Sequence, residues 1–237
     1  MDARNSPPDW YPDPQQPERD RYWDGSAWTD NIRARTLVDE MLKSGGFVRA
    51  KEQRLVVTTD GLSWGDEQVR WDDVTDFSQL ITSQEYRGVI LYEVHLQCSD
   101  RVVRVVFEPR SKRDAATRRA YDVILAQLKR TVGQRVLNGL IRMMDAGEPV
   151  RIGGLRLAPE GFMAEDKRGE NVPWTEYAGV EVRRGNSVVI ELFRAKPGGK
   201  RKQACRVKVN LLRGWILPPL IEEHARRYAP APSGLTP

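Results

Sequence analysis

The side chains in this sequence that are best suited to acid–base catalysis are acids that follow a repeated tryptophan. Asp72 and Asp73 come directly after Trp71, and Glu176 lies two residues after Trp174. Two carboxylates that converge on one substrate can act as a general acid and a general base. Adjacent residues of a strand point to opposite faces, so Asp72 and Asp73 would not converge. We interpret these acids as turn or edge residues and predict no catalytic residue.

Nucleophilic and metal-binding residues are few and scattered. The chain has two histidines, His95 and His224, and two cysteines, Cys98 and Cys205, without a Cys-x-x-Cys pair. A structural zinc site needs several closely spaced ligands of these types. The sequence therefore predicts buried thiols in a reducing compartment, surface or hydrogen-bonded histidines, and no metal or cofactor. Glycine-rich phosphate-binding loops are also missing, and we predict that the protein is not an enzyme.

Basic residues provide the best candidate for an anion-binding site. The net charge is +5 and the isoelectric point about 9.3, which favours anionic partners where the charge is clustered. One cluster lies between residues 196 and 208, and an ordinary solvated loop is the alternative interpretation. The predicted anion-binding residues are Lys196, Lys200, Arg201, Lys202, Arg206 and Lys208.

Aromatic residues are concentrated in the first 36 positions. The prolines of Trp10–Pro14 oppose a helix, and Asp24-Gly25 is a typical hairpin turn between Arg21–Trp23 and Ala27–Thr29. Tryptophan and tyrosine are frequent anchors of protein interfaces, although a folded terminal cap is the alternative. The predicted partner-binding residues are Trp10, Tyr11, Tyr22, Trp23 and Trp28.

The spacing of these residues resembles a short tryptophan-rich actinobacterial domain of unknown function. Its pattern, W-Y-P-D-P, R-Y-W-D-G and A-W-T, is complete here within residues 8–33. That family usually occurs at the end of a larger protein, often one with membrane-spanning segments, and has no established activity. The resemblance implies a small module without a defined ligand.

The remainder of the chain contains an internal repeat. Asp60-Gly61 precedes Trp71 across a polar break, and Glu160-Gly161 precedes Trp174 in the same way. Such repetition indicates one structural unit used twice, with both tryptophans in the core. Apolar residues that alternate with polar ones predict strands at 54–59, 89–97 and 101–108, and at 150–157, 180–184, 187–193 and 204–209.

Helical spacing follows the strands of each repeat. A long amphipathic helix is predicted from Ser111–Asp114 to Val132, with a second run at Val136–Met144 and a closing helix that begins at Pro218-Pro219. A short connecting helix is predicted at 36–43, capped by Thr36 and ended by glycines.

Antiparallel strands followed by an amphipathic helix, with the repeated glycine-aromatic-turn-tryptophan motif, resemble bacterial PH-like (GRAM-like) domains. The resemblance covers residues 47–229 as two copies. It implies a mainly β fold with α-helices (α+β), in which tandem PH-like antiparallel β-barrels are each closed by a C-terminal helix. It also implies a binding role and carries over no catalytic residue. The predicted divisions are a module at 1–36, a linker at 37–46, units at 47–147 and 148–229, and a disordered tail at 230–237.

These observations predict a non-enzymatic cytoplasmic adaptor that binds a protein partner through the N-terminal module and the repeated units. The alternative is a peripheral protein that binds anionic lipid at the inner face of the membrane through loop 196–208. No apolar run approaches the roughly 18 residues of a membrane-spanning helix, and the N-terminus lacks the apolar core of a signal peptide. Nucleic acid is a less favoured partner, because no recognition helix or basic aromatic platform is present.

Overall fold

The computed structural model describes residues 6–45, 51–84, 89–111, 114–165, 169–184, 188–209 and 214–228. Two compact units are present: one contains residues 1–75 and 79–132, and the other contains residues 76–78 and 133–237. The predicted tail at 230–237 lies outside the described residues. The domain boundaries drawn from the sequence stay predictions.

The first sheet contains three antiparallel strands, β1 (Asp9–Pro12), β2 (Arg19–Trp23) and β3 (Trp28–Ala34), in that order. The Asp24 carboxylate accepts hydrogen bonds from the N–H groups of Ser26 and Ala27, and these bonds lower its pKa. Gly25 has a φ of +98°, a conformation that glycine adopts without strain. The predicted hairpin turn at Asp24-Gly25 is therefore confirmed.

The second sheet has four antiparallel strands: β4 (Thr36–Lys43), β5 (Glu52–Thr58), β6 (Gly61–Trp64) and β7 (Glu67–Arg70). The helix predicted at 36–43 is wrong, because this segment pairs with β5 from Thr36 opposite Thr58 to Lys43 opposite Glu52. Its buried residues, Val38 and Leu42, are spaced to suit either a helix or a strand. The hydrogen bonds offered by β5 decide between these two structures.

A third sheet and a long helix follow. A 3-10 turn at Trp71–Asp73 leads into β8 (Val74–Gln84), β9 (Val89–Cys98) and β10 (Val102–Phe107). Helix α1 (Ala115–Leu128), a π-helical turn (Lys129–Gly133) and α2 (Gln134–Asp145) then form one helix of 31 residues. The two helical runs predicted on either side of Gly133 are thus continuous.

The second repeat has the same order of elements. Its strands are β11 (Val150–Ile152), β12 (Leu155–Ala158), β13 (Gly161–Ala164) and β14 (Val172–Pro173), then β15 (Tyr177–Arg184), β16 (Val188–Ala195) and β17 (Arg201–Val209). A 3-10 turn at Trp174–Glu176 joins the two sets, and α3 (Leu217–Tyr228) follows the last strand. The single strand predicted at 150–157 is wrong, because Gly153 and Gly154, both with positive φ, turn it into a hairpin.

The expectation of tandem PH-like barrels, each closed by a C-terminal helix, is wrong. The described strands form five separate open sheets, so no closed barrel is present among them. An isolated bridge between Ser44 and Phe107 lies between the second and third sheets. Alternation of apolar and polar residues along a strand predicts which of its faces is buried. It does not predict whether the edge strands of a sheet pair with each other to close a barrel, and here they remain edges. The mostly β character is present as expected.

The repeated tryptophans lie in the cores, as predicted. Trp71 and Trp174 are each 2% exposed. In the second unit Trp174 lies in a cluster of buried apolar side chains that includes Phe162, Leu155 and Ile221. Burial of such large side chains is a main source of stability for sheets of this size.

Candidate partner-binding and anion-binding sites

Three of the five predicted partner-binding residues lie together on one face of the N-terminal sheet. Trp23 and Trp28 are opposite each other across β2 and β3, with ring centroids 5.3 Å apart and in edge-to-face contact. Tyr11 lies edge-on to Trp28 at 6.3 Å. Trp23 is buried, whereas Tyr11 and Trp28 are half-buried and keep part of their surface in solvent.

Ile32 extends the same face. It lies opposite Arg21 across β2 and β3, and its side chain is 42% exposed. We call the set Tyr11, Trp23, Trp28 and Ile32 the aromatic face. Ile32 is not among the residues predicted from the sequence, because a single apolar residue among polar neighbours forms no local pattern. Only the strand register shows that it shares a face with the aromatic residues.

The N-terminal segment lies across the aromatic face. The Tyr11 hydroxyl donates a hydrogen bond to the main-chain oxygen of Pro7 at 3.0 Å, and the Trp23 indole N–H donates to that of Ser6 at 3.1 Å. A Cβ atom at Gly25 would lie 3.2 Å from Cγ of Pro8, so the ring of Pro8 lies against the glycine turn. Two aromatic donors therefore bind two consecutive carbonyl groups.

The other two predicted aromatic residues lie on the opposite face. Trp10 and Tyr22 are direct partners across β1 and β2, with ring centroids 5.5 Å apart. The Arg33 guanidinium lies 4.3 Å from the centroid of the Trp10 ring, a distance typical of a cation–π contact. One side of the Trp10 ring is therefore covered by a cation from the same chain.

A buried ion pair holds the module together. The Asp13 side chain is 0% exposed, and Nε of Arg21 donates to its Oδ2 at 3.0 Å. The other carboxylate oxygen accepts a hydrogen bond from the N–H of Gln15 at 2.9 Å. A buried carboxylate needs a paired cation and hydrogen bonds of this kind. The acid of the W-Y-P-D-P pattern therefore has a structural role.

The predicted anion-binding loop is the tip of the hairpin formed by β16 and β17. Ala195 pairs with Arg201, and the N–H of Lys196 donates to the main-chain oxygen of Lys200 at 2.7 Å. Lys196, Lys200 and Lys202 are exposed, and none forms an ion pair with any of the described residues. The structure thus brings three of the six predicted residues together at one tip, which we call the lysine tip.

Arg201 and Arg206 are engaged within the sheet. Arg201 forms an ion pair with Glu181 and lies 4.5 Å from the centroid of the Phe193 ring. Arg206 lies 3.6 Å from the buried carboxylate of Glu191. These two arginines are less accessible to an external anion than the lysines, because their charges are already partly compensated.

The sixth predicted residue, Lys208, lies opposite Val189 in the β16–β17 ladder. Its side chain is outside the part of the chain that the structure describes.

The residues considered for acid–base chemistry lie on other elements of the chain. Asp72, Asp73 and Glu176 are exposed on the two 3-10 turns, which confirms their interpretation as turn residues. His95 lies 3.3 Å from Glu93. His224 is fully buried and stacked against Trp174, with ring centroids 5.9 Å apart, and burial lowers its pKa.

The cysteines are buried and separate. Cys98 and Cys205 are not joined in a disulfide, and burial raises the pKa of the Cys98 thiol. No cluster of three metal-binding side chains occurs in the described ranges. Within those ranges no helix combines the length and apolar character that crossing a bilayer requires.

Comparison with known proteins finds a similarity in the N-terminal sheet. No curated protein matches the chain. The expectation of a short domain of unknown function at the N-terminus is confirmed. The segment that forms the aromatic face and the Asp13–Arg21 ion pair is similar to a family described as a protein of unknown function (DUF2510), whose model matches residues 8–37.

Proposed function

We propose that this protein is a non-enzymatic adaptor that binds a protein partner through the aromatic face. The observation that carries the proposal is that Tyr11 and Trp23 already bind main-chain carbonyl groups on a face that also carries Ile32, which is 42% exposed. Aromatic side chains with a polar tip are common at interfaces, because they add large apolar contact area and one directed hydrogen bond.

Capture experiments with two matched variants test this proposal. Ile32→Ser removes apolar surface from the aromatic face, whereas Ile81→Ser does the same in β8, where Ile81 is 63% exposed. Both side chains are exposed, so both variants are expected to fold. We expect one specific partner, identified by mass spectrometry, to be retained by the wild type and by Ile81→Ser but lost with Ile32→Ser. Equal retention by the two variants would exclude the aromatic face as the docking surface.

We also propose that the lysine tip binds an anionic lipid surface, as a cytoplasmic protein held peripherally at the inner face of a membrane. The supporting observation is the exposure of Lys196, Lys200 and Lys202 on a short hairpin, without an ion pair to the described residues. Each basic residue near an anionic surface contributes about 1 kcal/mol, so three contribute about 3 kcal/mol. Such binding weakens as salt shortens the range of the attraction.

Vesicle flotation tests the lysine tip. The triple variant Lys196→Glu, Lys200→Glu and Lys202→Glu is compared with a control that reverses the exposed residues Lys51, Arg70 and Arg142. We expect flotation with phosphatidylglycerol vesicles at low salt, its loss in the first triple variant and its retention in the control. Phosphatidylcholine vesicles should not bind the protein. Equal flotation of both triple variants would exclude the lysine tip as the lipid-binding site.

A further inference from the structure

We infer that the aromatic face is a receptor for a proline-rich segment of a partner, and that the chain's own residues Ser6, Pro7 and Pro8 occupy part of this receptor. The inference rests on the proposed partner binding by the same face, and it adds the chemical class of the ligand. Its basis is the pair of hydrogen bonds from Tyr11 and Trp23 to consecutive carbonyl groups of this segment.

The hydrogen-bonding capacity of a proline-rich peptide explains why these two side chains suit it. Proline has no N–H group, and a polyproline II helix has no internal hydrogen bonds, so its carbonyl oxygens are free acceptors. A receptor must therefore supply donors. The Trp23 indole is only a donor, and the Tyr11 hydroxyl donates here, at 3.1 Å and 3.0 Å respectively.

The surroundings of the donors suit proline rings. Proline-rich peptides dock in grooves lined with aromatic side chains. Trp28 contacts the rings of both Tyr11 and Trp23, and the turn at Gly25 has no side chain where the ring of Pro8 lies. The occupied part of the receptor is thus built from aromatic rings, two donors and a glycine turn.

The chain's own segment leaves room for a longer ligand. Pro7 and Pro8 are exposed, and Ile32 on the same face keeps 42% of its surface in solvent. The internal segment competes because its attachment to β1 gives it a high effective concentration. A partner peptide long enough to cover Ile32 adds an apolar contact that Ser6–Pro8 leaves unused.

Titration of the full-length protein with decaproline tests the inference. Pro7→Gly/Pro8→Gly gives the internal segment more conformational freedom and weakens its docking. We expect the indole N–H resonance of Trp23 to move in this double variant and to return towards its wild-type position when decaproline binds. We also expect decaproline to bind the double variant at least about five-fold more tightly than the wild type, since the internal competitor is weakened. A glycine-serine decapeptide is the control and should leave the resonance unchanged.

Two matched tyrosine variants, made in the Pro7→Gly/Pro8→Gly background, test whether the Tyr11 hydroxyl donates a hydrogen bond to decaproline. Tyr11→Phe removes the donor from the aromatic face and should weaken decaproline binding about five- to ten-fold. Tyr22→Phe removes a hydroxyl from the opposite face and should change the affinity by less than about two-fold. The inference is overturned by no decaproline binding at millimolar concentration, by equal affinities of the wild type and the Gly variant, or by equal effects of the two tyrosine variants.

These outcomes separate the inference from the proposed function. If Ile32→Ser abolishes capture of a partner while decaproline does not bind, the aromatic face is still a docking surface and the proline-rich ligand is rejected. If Ile32→Ser leaves capture unaffected, the proposed function itself fails.

Discussion

The indole N–H of Trp174 donates a hydrogen bond to the main-chain oxygen of Ala158 at 2.8 Å. Trp71 makes the corresponding bond to Thr58 at 3.2 Å in the first repeat. Each tryptophan begins a one-turn 3-10 helix, and each acceptor is the last residue of a strand, β12 or β5. The internal repeat is therefore a repeated hydrogen bond as well as a repeated spacing.

The first prediction concerns this bond. Trp174→Phe removes the donor, leaves the Ala158 carbonyl without it in a buried site and creates a small cavity. The free energy of unfolding should decrease by about 2–4 kcal/mol. Urea denaturation followed by circular dichroism measures the change, and Trp71→Phe is the parallel variant. A loss below about 0.5 kcal/mol in both would show that the indole bond is unimportant.

The second prediction concerns the glycines that precede each tryptophan. A Cβ atom at Gly61 would lie 2.2 Å from the Val69 oxygen, and one at Gly161 would lie 2.3 Å from the Val172 oxygen. Both contacts are to the main chain, which moves less readily than a side chain. Gly61→Ala and Gly161→Ala should therefore each lower the free energy of unfolding by about 1–3 kcal/mol.

Gly139 provides a control of opposite sign for these two variants. It lies within α2, and a Cβ atom added there would have no described neighbour within 4 Å. Gly139→Ala should raise the free energy of unfolding by about 0.5–1 kcal/mol, because alanine is the better helix former. Destabilisation by all three substitutions would contradict the steric argument and point to a general intolerance of glycine replacement.

The third prediction concerns the buried ion pair of the N-terminal module. Arg21→Met leaves the fully buried Asp13 carboxylate without its cation and should cost about 3–5 kcal/mol, enough to unfold so small a sheet. Arg19→Met is the control, because Arg19 is partly exposed and the side chain of its ion-pair partner, Asp60, is 46% exposed. Its cost should be about 1 kcal/mol or less.

Tryptophan fluorescence during urea unfolding measures the free energy of unfolding of both variants. In the double variant Asp13→Asn/Arg21→Met the uncompensated charge is gone, so part of the loss should be recovered. A double variant that is less stable than Arg21→Met would show that the carboxylate contributes through its hydrogen bonds, and not through its charge.

The fourth prediction concerns pH. Burial, followed by the charge of Arg227, lowers the pKa of His224 from its ordinary value of 6.5, although Asp145 and Glu223 oppose the shift. The unfolded chain then binds the proton at a higher pH than the folded chain. The stabilising effect of keeping His224 neutral is complete above about pH 7.5 and decreases as the pH falls through 6.5 towards the folded pKa.

Unfolding experiments at pH 7.5 and pH 5.5 check this prediction. Between these values the wild type should lose more stability than His224→Asn, because asparagine has no group that titrates there. An identical pH dependence in the two proteins would show that His224 takes up its proton equally well in both states.

Local chemistry made the N-terminal hairpin predictable. The Asp24 carboxylate bonds to main-chain N–H groups two and three residues away, and Gly25 supplies the positive φ. These interactions need no other part of the chain. The hairpin at Gly153-Gly154 carries the same kind of local signal, a pair of glycines between two apolar runs, although a single strand was expected there.

The helix predicted at 36–43 is wrong because this segment pairs with a strand elsewhere in the chain. Val38 and Leu42 are both buried in strand β4, yet a spacing of four residues fits a helix equally well. Pairing with β5 supplies hydrogen bonds from residues 52–58, a segment whose position could not be inferred from residues 36–43 themselves. The number and openness of the sheets were missed for the same reason.

The sequence by itself determined which residue types carry the candidate sites: the aromatic residues of the first 36 positions and the lysines of 196–202. The tertiary structure decided their grouping. Strand pairing places Arg21 opposite both Tyr11 and Ile32 and Trp23 opposite Trp28, so these side chains share one face, whereas Trp10 pairs with Tyr22 on the other face beneath Arg33.

Cross-strand neighbours likewise decided which basic residues are available to a ligand. Glu181 and Glu191 pair with arginines of the predicted anion site. In the lysine tip, Lys196 and Lys200 lie in the turn beyond the paired strands, and Lys202 pairs with Arg194 at their end. The physical reason is the two-residue period of a strand. One step of register moves every side chain to the opposite face, and register depends on partners that are distant in sequence.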